Sequence, residues 1–450
     1  MTYDAIIIGF GKGGKTLATA LANKGQKVAL IEQDAMMYGG TCINVGCIPS
    51  KRLVHASRQT LKLGEVSFQS KQEAYAKAIG GKNELTAMLR QKNYQKQADN
   101  PNITVLDGKA SFVSNHQVQV RGSEGTTQLS ADKIFINTGS MTVMPPIPGV
   151  MDNPHVHDSK SLMALDTLPE NLAIIGGGYI GLEFAFLYAG FGSKVTVLEA
   201  GGTFLPREDR DMAESILKQM EAAGITLYIN AKAEKAEGDT LHYSQDGKEN
   251  KLQDTAILVA VGRKANTQGL GLENTDVRLT DRGLIEVDDH LQTAAKGIWA
   301  LGDVCSKMQF TYTSLDDFRI VYSHLYENGR YSLKDRRNIP TCTFLNPSYA
   351  RVGLSETQAR EEGFDITVSK LPAGAVPNAH VLGKPQGLLK AVIDKNSKKI
   401  LGAMLLCERA EEIINIIKLA MDLDAPYTVI RDFVFTHPTM AEGLNDLFSV

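Results

Sequence analysis

The sequence predicts an α/β fold made of two copies of one parallel-sheet unit followed by a C-terminal α+β region. A strand, a glycine loop, a helix and a second strand open the chain. The same succession returns 167 residues later, counted from Gly9 to Gly176. Beyond residue 339 the composition shifts to strand-like runs and then to a helix around residues 411–421, which marks a third region. The period of the duplication is too long for a solenoid, so the copies read as separate domains.

Each element follows from its residues. Residues 3–9 are an apolar strand-like run, residues 13–23 carry a helical pattern, and residues 27–31 form a second strand ending at Glu32. Residues 51–99 are Lys/Gln-rich with helical periodicity, and 103–120 read as short strands with turns. Residues 133–137 are a buried strand ending at Thr138-Gly139. Pro145, Pro146 and Pro148 then crowd into a natural boundary. The second copy has a strand at 172–175, a glycine loop at 176–181, a helix at 183–191 and a strand at 194–198 ending at Glu199. After residues 256–262 a further region runs to about residue 334.

At 450 residues the chain suits about three domains at ~150 residues each. A hydrophobic content of 43% supports real cores. A formal charge of −3 gives no electrostatic reason to expect nucleic acid or an anionic membrane as partner. Residues 172–193 carry a single charge, Glu183, but the glycines at one end mark a buried strand and helix, not a membrane span. The N-terminus shows no signal-peptide pattern, so a soluble cytoplasmic protein is expected. Five cysteines make no disulfide framework, and Cys305, Cys342 and Cys407 are expected to be buried, inert thiols.

Gly9, Gly11 and Gly14 fit G-x-G-x-x-G between a strand and a helix, with Glu32 eighteen residues beyond Gly14. The first glycine permits a tight turn, the second lets backbone approach a pyrophosphate, and the third lets helix and strand pack closely. The acid then suits the ribose hydroxyls. Gly176, Gly178 and Gly181 repeat the pattern, with Glu199 at the same offset. Two such Rossmann-like units imply electron transfer between two dinucleotides, a tightly bound flavin (FAD) and an exchangeable nicotinamide. Glu199 would repel a 2′-phosphate, and no arginine follows within seven residues, so NADH is expected over NADPH.

Cys42 and Cys47 are the candidate redox pair. Pro49 suits the first turn of a helix, which puts Cys47 at or beside the N-cap, where the dipole favours a thiolate. Lys51 lies one turn on and adds positive charge. A static disulfide, buried thiols or a metal site are the alternatives, although no further metal ligands lie nearby. His155 and His157 share strand spacing but lack a third ligand.

Residues 40–51, Gly-Thr-Cys-Ile-Asn-Val-Gly-Cys-Ile-Pro-Ser-Lys, resemble the signature of the class I pyridine nucleotide–disulfide oxidoreductases. The resemblance covers nearly the whole chain. It implies a glutathione reductase-like homodimer, with an FAD domain from 1–148 and 264–334, an NAD(P)H domain from 149–263 and a dimerisation domain from 335–450. It implies FAD contacts from Gly40, Thr41, Lys51, Thr138, Gly139 and Asp303. Tyr179 would gate the nicotinamide pocket, and Gly262 would belong to that site. It places Cys47 beside the flavin and makes Cys42 the exposed interchange thiol. Lys51 and Glu183 would form an ion pair near flavin N5. His437 and Glu442 would be an acid–base pair acting across the dimer interface.

Within the family, the segments 37–42, 204–211, 310–317 and 445–449 resemble a bacterial copper(II) reductase of the hypochlorous-acid response. A site with two soft thiolates at Cys42 and Cys47 suits transient Cu(I). No cysteine follows Cys407, which weakens a mercuric reductase reading. Lipoamide or a low-molecular-weight disulfide is the other acceptor expected of an enzyme. A redox-sensing binding protein is the reading from a different class.

Overall fold

The computed structural model describes residues 1–64 and 66–450. Among the described residues, no helix is long and apolar enough to cross a membrane.

The first sheet is parallel, with Ala5–Ile8 at its centre between Val28–Glu32 and Ile134–Ile136. Ile103–Asp107 extends one edge and Ile298–Ala300 the other. Every side chain of Ala5–Ile8 is buried, as a strand covered on both faces requires. The second sheet repeats the plan: Asn171–Ile175 lies between Lys194–Leu198 and Thr255–Val259, flanked by Thr226–Tyr228 and Val156–His157.

The duplication reaches further than the glycine loops. Each copy carries a three-stranded antiparallel meander just before its third core strand. These are Lys109–Ser114, Gln117–Gly122 and Gly125–Ser130 in one copy, and Ala231–Glu237, Thr240–Gln245 and Lys248–Leu252 in the other.

Two helices, Cys47–Thr60 and Phe68–Ala98, fill the stretch expected to be helical. The helix of the second loop starts earlier than expected, at Tyr179, and runs to Phe191. The third region is a five-stranded antiparallel sheet with the amphipathic helix Ala410–Asp422 packed on it through Ile413, Ile414 and Ile417.

Only Cys407 is fully buried among the three solitary cysteines; Cys305 and Cys342 are half-buried, which corrects the expectation for those two. Burial still pushes all three thiols up, Cys407 to about 12, so none is activated.

Candidate active site

At the first loop, Gly9 turns at φ +104°, and an added Cβ would sit 2.3 Å from the Asn137 carbonyl oxygen. Gly176 repeats this at φ +109°, 2.7 Å from the Ala260 oxygen. Gly11 and Gly178 are the N-caps of Lys12–Ala22 and Tyr179–Phe191, neither with a side-chain cap or an acidic residue in the first turn. The N–H groups of Gly11 and Lys12 have no protein partner among the described residues. That geometry suits an anionic pyrophosphate.

The two acids are also equivalent. Glu32 accepts from Phe10 N at 3.1 Å, and Glu199 from Gly177 N at 2.9 Å. Burial pushes the Glu32 carboxyl up to about 6.

Two residues beyond the expected set complete the first loop. Asn137 accepts from Gly14 N at 2.9 Å and donates to Leu301 O at 2.7 Å, and Ser314 Oγ accepts from Gly13 N at 3.1 Å. Asn137 sits one residue before Thr138-Gly139, where a strand end was already legible. Thr138 Oγ1 donates to Asn266 O at 2.8 Å, and Gly139 is open, with nothing near its Cα face. Asp303 accepts from Ser140 Oγ at 2.7 Å, and burial pushes its carboxyl up despite the nearby Arg263. Gly40 packs its Cα region against Gly11, where a Cβ would meet Gly11 Cα at 2.7 Å, so the redox loop closes directly on the first glycine loop.

Residues 9–16 also satisfy the phosphate-loop spacing G-x-x-x-x-G-K-T, and the structure excludes that role. Lys15 points into the protein, donating to Gly39 O at 3.0 Å and Asn93 Oδ1 at 2.7 Å. Burial draws its ammonium down to about 8.

Cys42 lies in the short helix Thr41–Asn44, and Cys47 is the first residue of Cys47–Thr60, whose N-cap is Gly46. Both are free thiols. Coupling to Cys42 draws Cys47 down to about 6, with help from Thr311 and Lys51, while Cys42 is pushed up. Cys47 Sγ lies 3.5 Å from Thr311 Oγ1. In the protein chain alone Cys47 is exposed and Cys42 half-buried.

Lys51 is ion-paired with Glu183, which also accepts from Phe344 N at 3.1 Å. The Glu183 side chain is only 12% exposed, so it is no surface helix charge. Phe344 lies under the Lys51 ammonium, 4.6 Å from ring centroid to Nζ, and nothing in the sequence pointed to it. The Tyr179 hydroxyl donates to Glu208, while Gly262 is an open glycine at φ +134°.

His437 Nδ1 is 2.7 Å from Glu442 Oε2, and Glu442 also accepts from Thr439 N at 3.0 Å. The His437 bond holds the Glu442 carboxyl down. The His437 ring is 69% exposed, and Glu442 is its sole hydrogen-bond partner among the described residues. Exposed Phe433 and Val434 precede it, with exposed Leu419, Leu423 and Val429 on the same C-terminal region. An apolar surface of that kind is what a subunit contact covers.

His157 is buried in its strand whereas His155 is exposed, and no cluster of three or more metal-ligating residues occurs among the described residues.

The pyridine nucleotide-disulphide oxidoreductase family matches residues 3–317, and its dimerisation domain matches residues 339–448. The chain is 48% identical to a probable pyridine nucleotide-disulfide oxidoreductase, RclA, of Escherichia coli (strain K12), covering 100% of this chain and 99% of that protein. It is 33% identical to a mercuric reductase of Bacillus cereus, covering 98% and 70%. The solved Cu(II) complex of the HOCl-induced flavoprotein disulfide reductase RclA from Escherichia coli superposes with a TM-score of 0.94 at 48% identity, covering 100% and 99% of the two chains. With both domains matched and relatives aligned end to end, the chain belongs to the pyridine nucleotide–disulphide oxidoreductase family, whose cofactors are FAD and NAD(P)H.

Proposed function

We propose that this protein uses NADH to keep the Cys42–Cys47 pair reduced, and that the pair reduces Cu(II) to Cu(I) in defence against reactive chlorine species. The observation that carries the reading is the placement of the pair, with Cys47 at a helix N-terminus one turn before Lys51 and Cys42 in the short helix just ahead of it, in a chain similar throughout to a protein solved as a Cu(II) complex.

FAD would be held by Gly9, Gly11, Gly14, Glu32, Gly40, Thr41, Thr138, Gly139 and Asp303, and when bound it supplies the relay between nicotinamide and disulfide. The nicotinamide nucleotide would be held by Gly176, Gly178, Tyr179, Gly181, Glu199 and Gly262. Glu199 supports NADH over NADPH, since its second oxygen already accepts from Gly201 N at 2.8 Å and a 2′-phosphate would meet fixed negative charge. In this reading the FAD part comprises residues 1–148 and 264–334, the nucleotide part 149–263 and the subunit contact 335–450.

The chain's own groups account for the rest. Lys51, fixed by Glu183, keeps Cys47 ionised on the flavin side. Cys42 faces the acceptor. Two Cu(II) ions take one electron each, the two sulfurs join as a disulfide, and the single proton of Cys42 leaves; the hydride equivalent of NADH returns the electron pair with one proton, restoring the Cys47 thiolate and the Cys42 thiol. His437 and Glu442 would complete the partner subunit's site in a homodimer. Three free thiols outside the pair support a reducing compartment such as the cytoplasm.

A second reading is favoured by one observation: an exposed His437 held by a carboxylate is what a disulfide acceptor needs to protonate its leaving thiol. Anaerobic NADH oxidation with Cu(II), Hg(II), lipoamide or oxidised glutathione, with a Cu(I)-specific chromophore, separates the readings. Cu(I) formed at two per NADH supports the proposal. Turnover with lipoamide alone overturns it, and no turnover at all favours a redox sensor.

A further inference from the structure

We propose that Glu208 is a positioning residue for nicotinamide nucleotide entry, pinning the Tyr179 ring at the second glycine loop and tying that position to the C-terminal domain. The proposal rests on reading that loop as the nicotinamide nucleotide site.

Tyr179 is the first residue of its helix, directly after Gly178, and the residue is 41% exposed at the mouth of the loop. A side chain so placed would ordinarily sample several rotamers. Here its hydroxyl donates to a carboxylate whose side chain is fully buried. Glu208 also accepts from the Tyr349 hydroxyl and from Arg351 Nη1 at 2.8 Å. Both of these lie on the strand Tyr349–Gly353 of the C-terminal sheet.

Arg351 alone would neutralise Glu208, and Tyr349 would satisfy its second oxygen. The third donor comes from the one exposed ring of the set, next to the site a nucleotide must enter. The segment that carries Glu208 is itself held firmly. Arg210 donates back to Phe204 O at 2.8 Å and Glu208 O at 2.7 Å. An ordered carboxylate thus reaches an otherwise mobile ring and holds it in one position at the mouth of the loop. Released, the ring would sweep the entrance and compete with the incoming nucleotide.

The test compares Tyr179→Phe, Glu208→Gln, their double variant and Tyr349→Phe in the FAD-loaded enzyme. Steady-state KM for NADH and the rate of flavin reduction at subsaturating NADH are read in stopped flow. Tyr179→Phe keeps the ring and removes only the tether, so it remains informative if Glu208→Gln folds poorly. The expected result is a three- to tenfold rise in KM for both single variants, with no further rise in the double variant. Reoxidation of prereduced enzyme by acceptor should be unchanged, and Tyr349→Phe should behave as wild type. A merely structural role for Glu208 would lower stability in both tyrosine variants and leave KM alone; that outcome, or additive effects in the double variant, overturns the proposal. Glu199→Ala marks the site: if it raises KM while Tyr179→Phe does not, the tether alone fails. If Glu199→Ala is also silent, the site reading fails and the tether with it.

Discussion

Replacing Lys390 by Met should loosen the junction between the second sheet and the C-terminal domain by a predictable amount. The Lys390 side chain is 1% exposed and lies 3.0 Å from Asp209, 3.0 Å from Asp211 and 2.9 Å from Glu356. Removing one member of a buried ionic group costs about 3–5 kcal/mol, since the remaining charge stays buried. Three compensations survive: Lys370 still pairs with Asp211, Arg360 with Glu356, and the amides of Glu356 and Thr357 still donate to Asp209. The cost should therefore fall near the lower end, about 3 kcal/mol, or about two decades in local opening.

Hydrogen exchange at Glu356, Thr357 and the first turn of the helix Arg210–Ala222 reads that opening directly. The pH dependence should also change. Burial would raise the Asp209 carboxyl, but the Glu356 amide and Lys390 overcome it and hold it at about 2. Its stabilisation is thus complete above its ordinary pKa of 3.8 and lost as pH falls from there through about 2. Without Lys390 the carboxylates repel, so acidifying from neutrality toward about pH 4 should tighten the junction instead. A less than fivefold change in corrected exchange, or a variant as insensitive to pH as wild type between neutrality and about pH 4, would refute the reasoning.

Three further outcomes follow from the site. In the dithiol protein, iodoacetamide should alkylate Cys47 with a midpoint near pH 6, losing reactivity below it, and Lys51→Met should move that midpoint upward; a wild-type midpoint in the ordinary thiol range would contradict the assignment. Asn137→Ala leaves Gly14 N and Leu301 O without their bonds, which at about 1–3 kcal/mol each should lower thermal stability and release flavin on gel filtration. His437→Ala should slow disulfide acceptors by about a hundredfold or more while sparing Cu(II) reduction, measured side by side under anaerobic conditions.

The glycine loops were legible because backbone geometry dictates them: a strand–turn–helix that receives a pyrophosphate needs glycines at fixed offsets and an acid at the next strand end. Cys47 at a helix start was legible for the same local reason. What escaped were contacts between residues far apart in the chain. Asn137 reads as an ordinary strand-end residue until Gly14 and Leu301 are seen on either side of it. Glu208 stands in a run of charges that looks solvated, yet its carboxylate is fully enclosed. Lys15 shows the converse, a spacing that fits a phosphate loop while the side chain turns inward. The pairing of Lys51 with Glu183 came only through family resemblance, since no local pattern joins residues 132 positions apart.

The far edge of the first sheet has a consequence for how the protein is made. The second sheet draws all its strands from residues 156–259, so it can close as soon as Val259 has left the ribosome. The first sheet waits for Ile298–Ala300, and until then Ile134–Ile136 presents an open parallel edge. The unit encoded first is therefore finished after the second during synthesis. Asn137 gains its Leu301 partner, and Ser140 its Asp303, only at that late stage. Enclosure of a flavin must follow translation of those residues, and truncated chains ending before them would expose a sticky edge and a half-built cradle together.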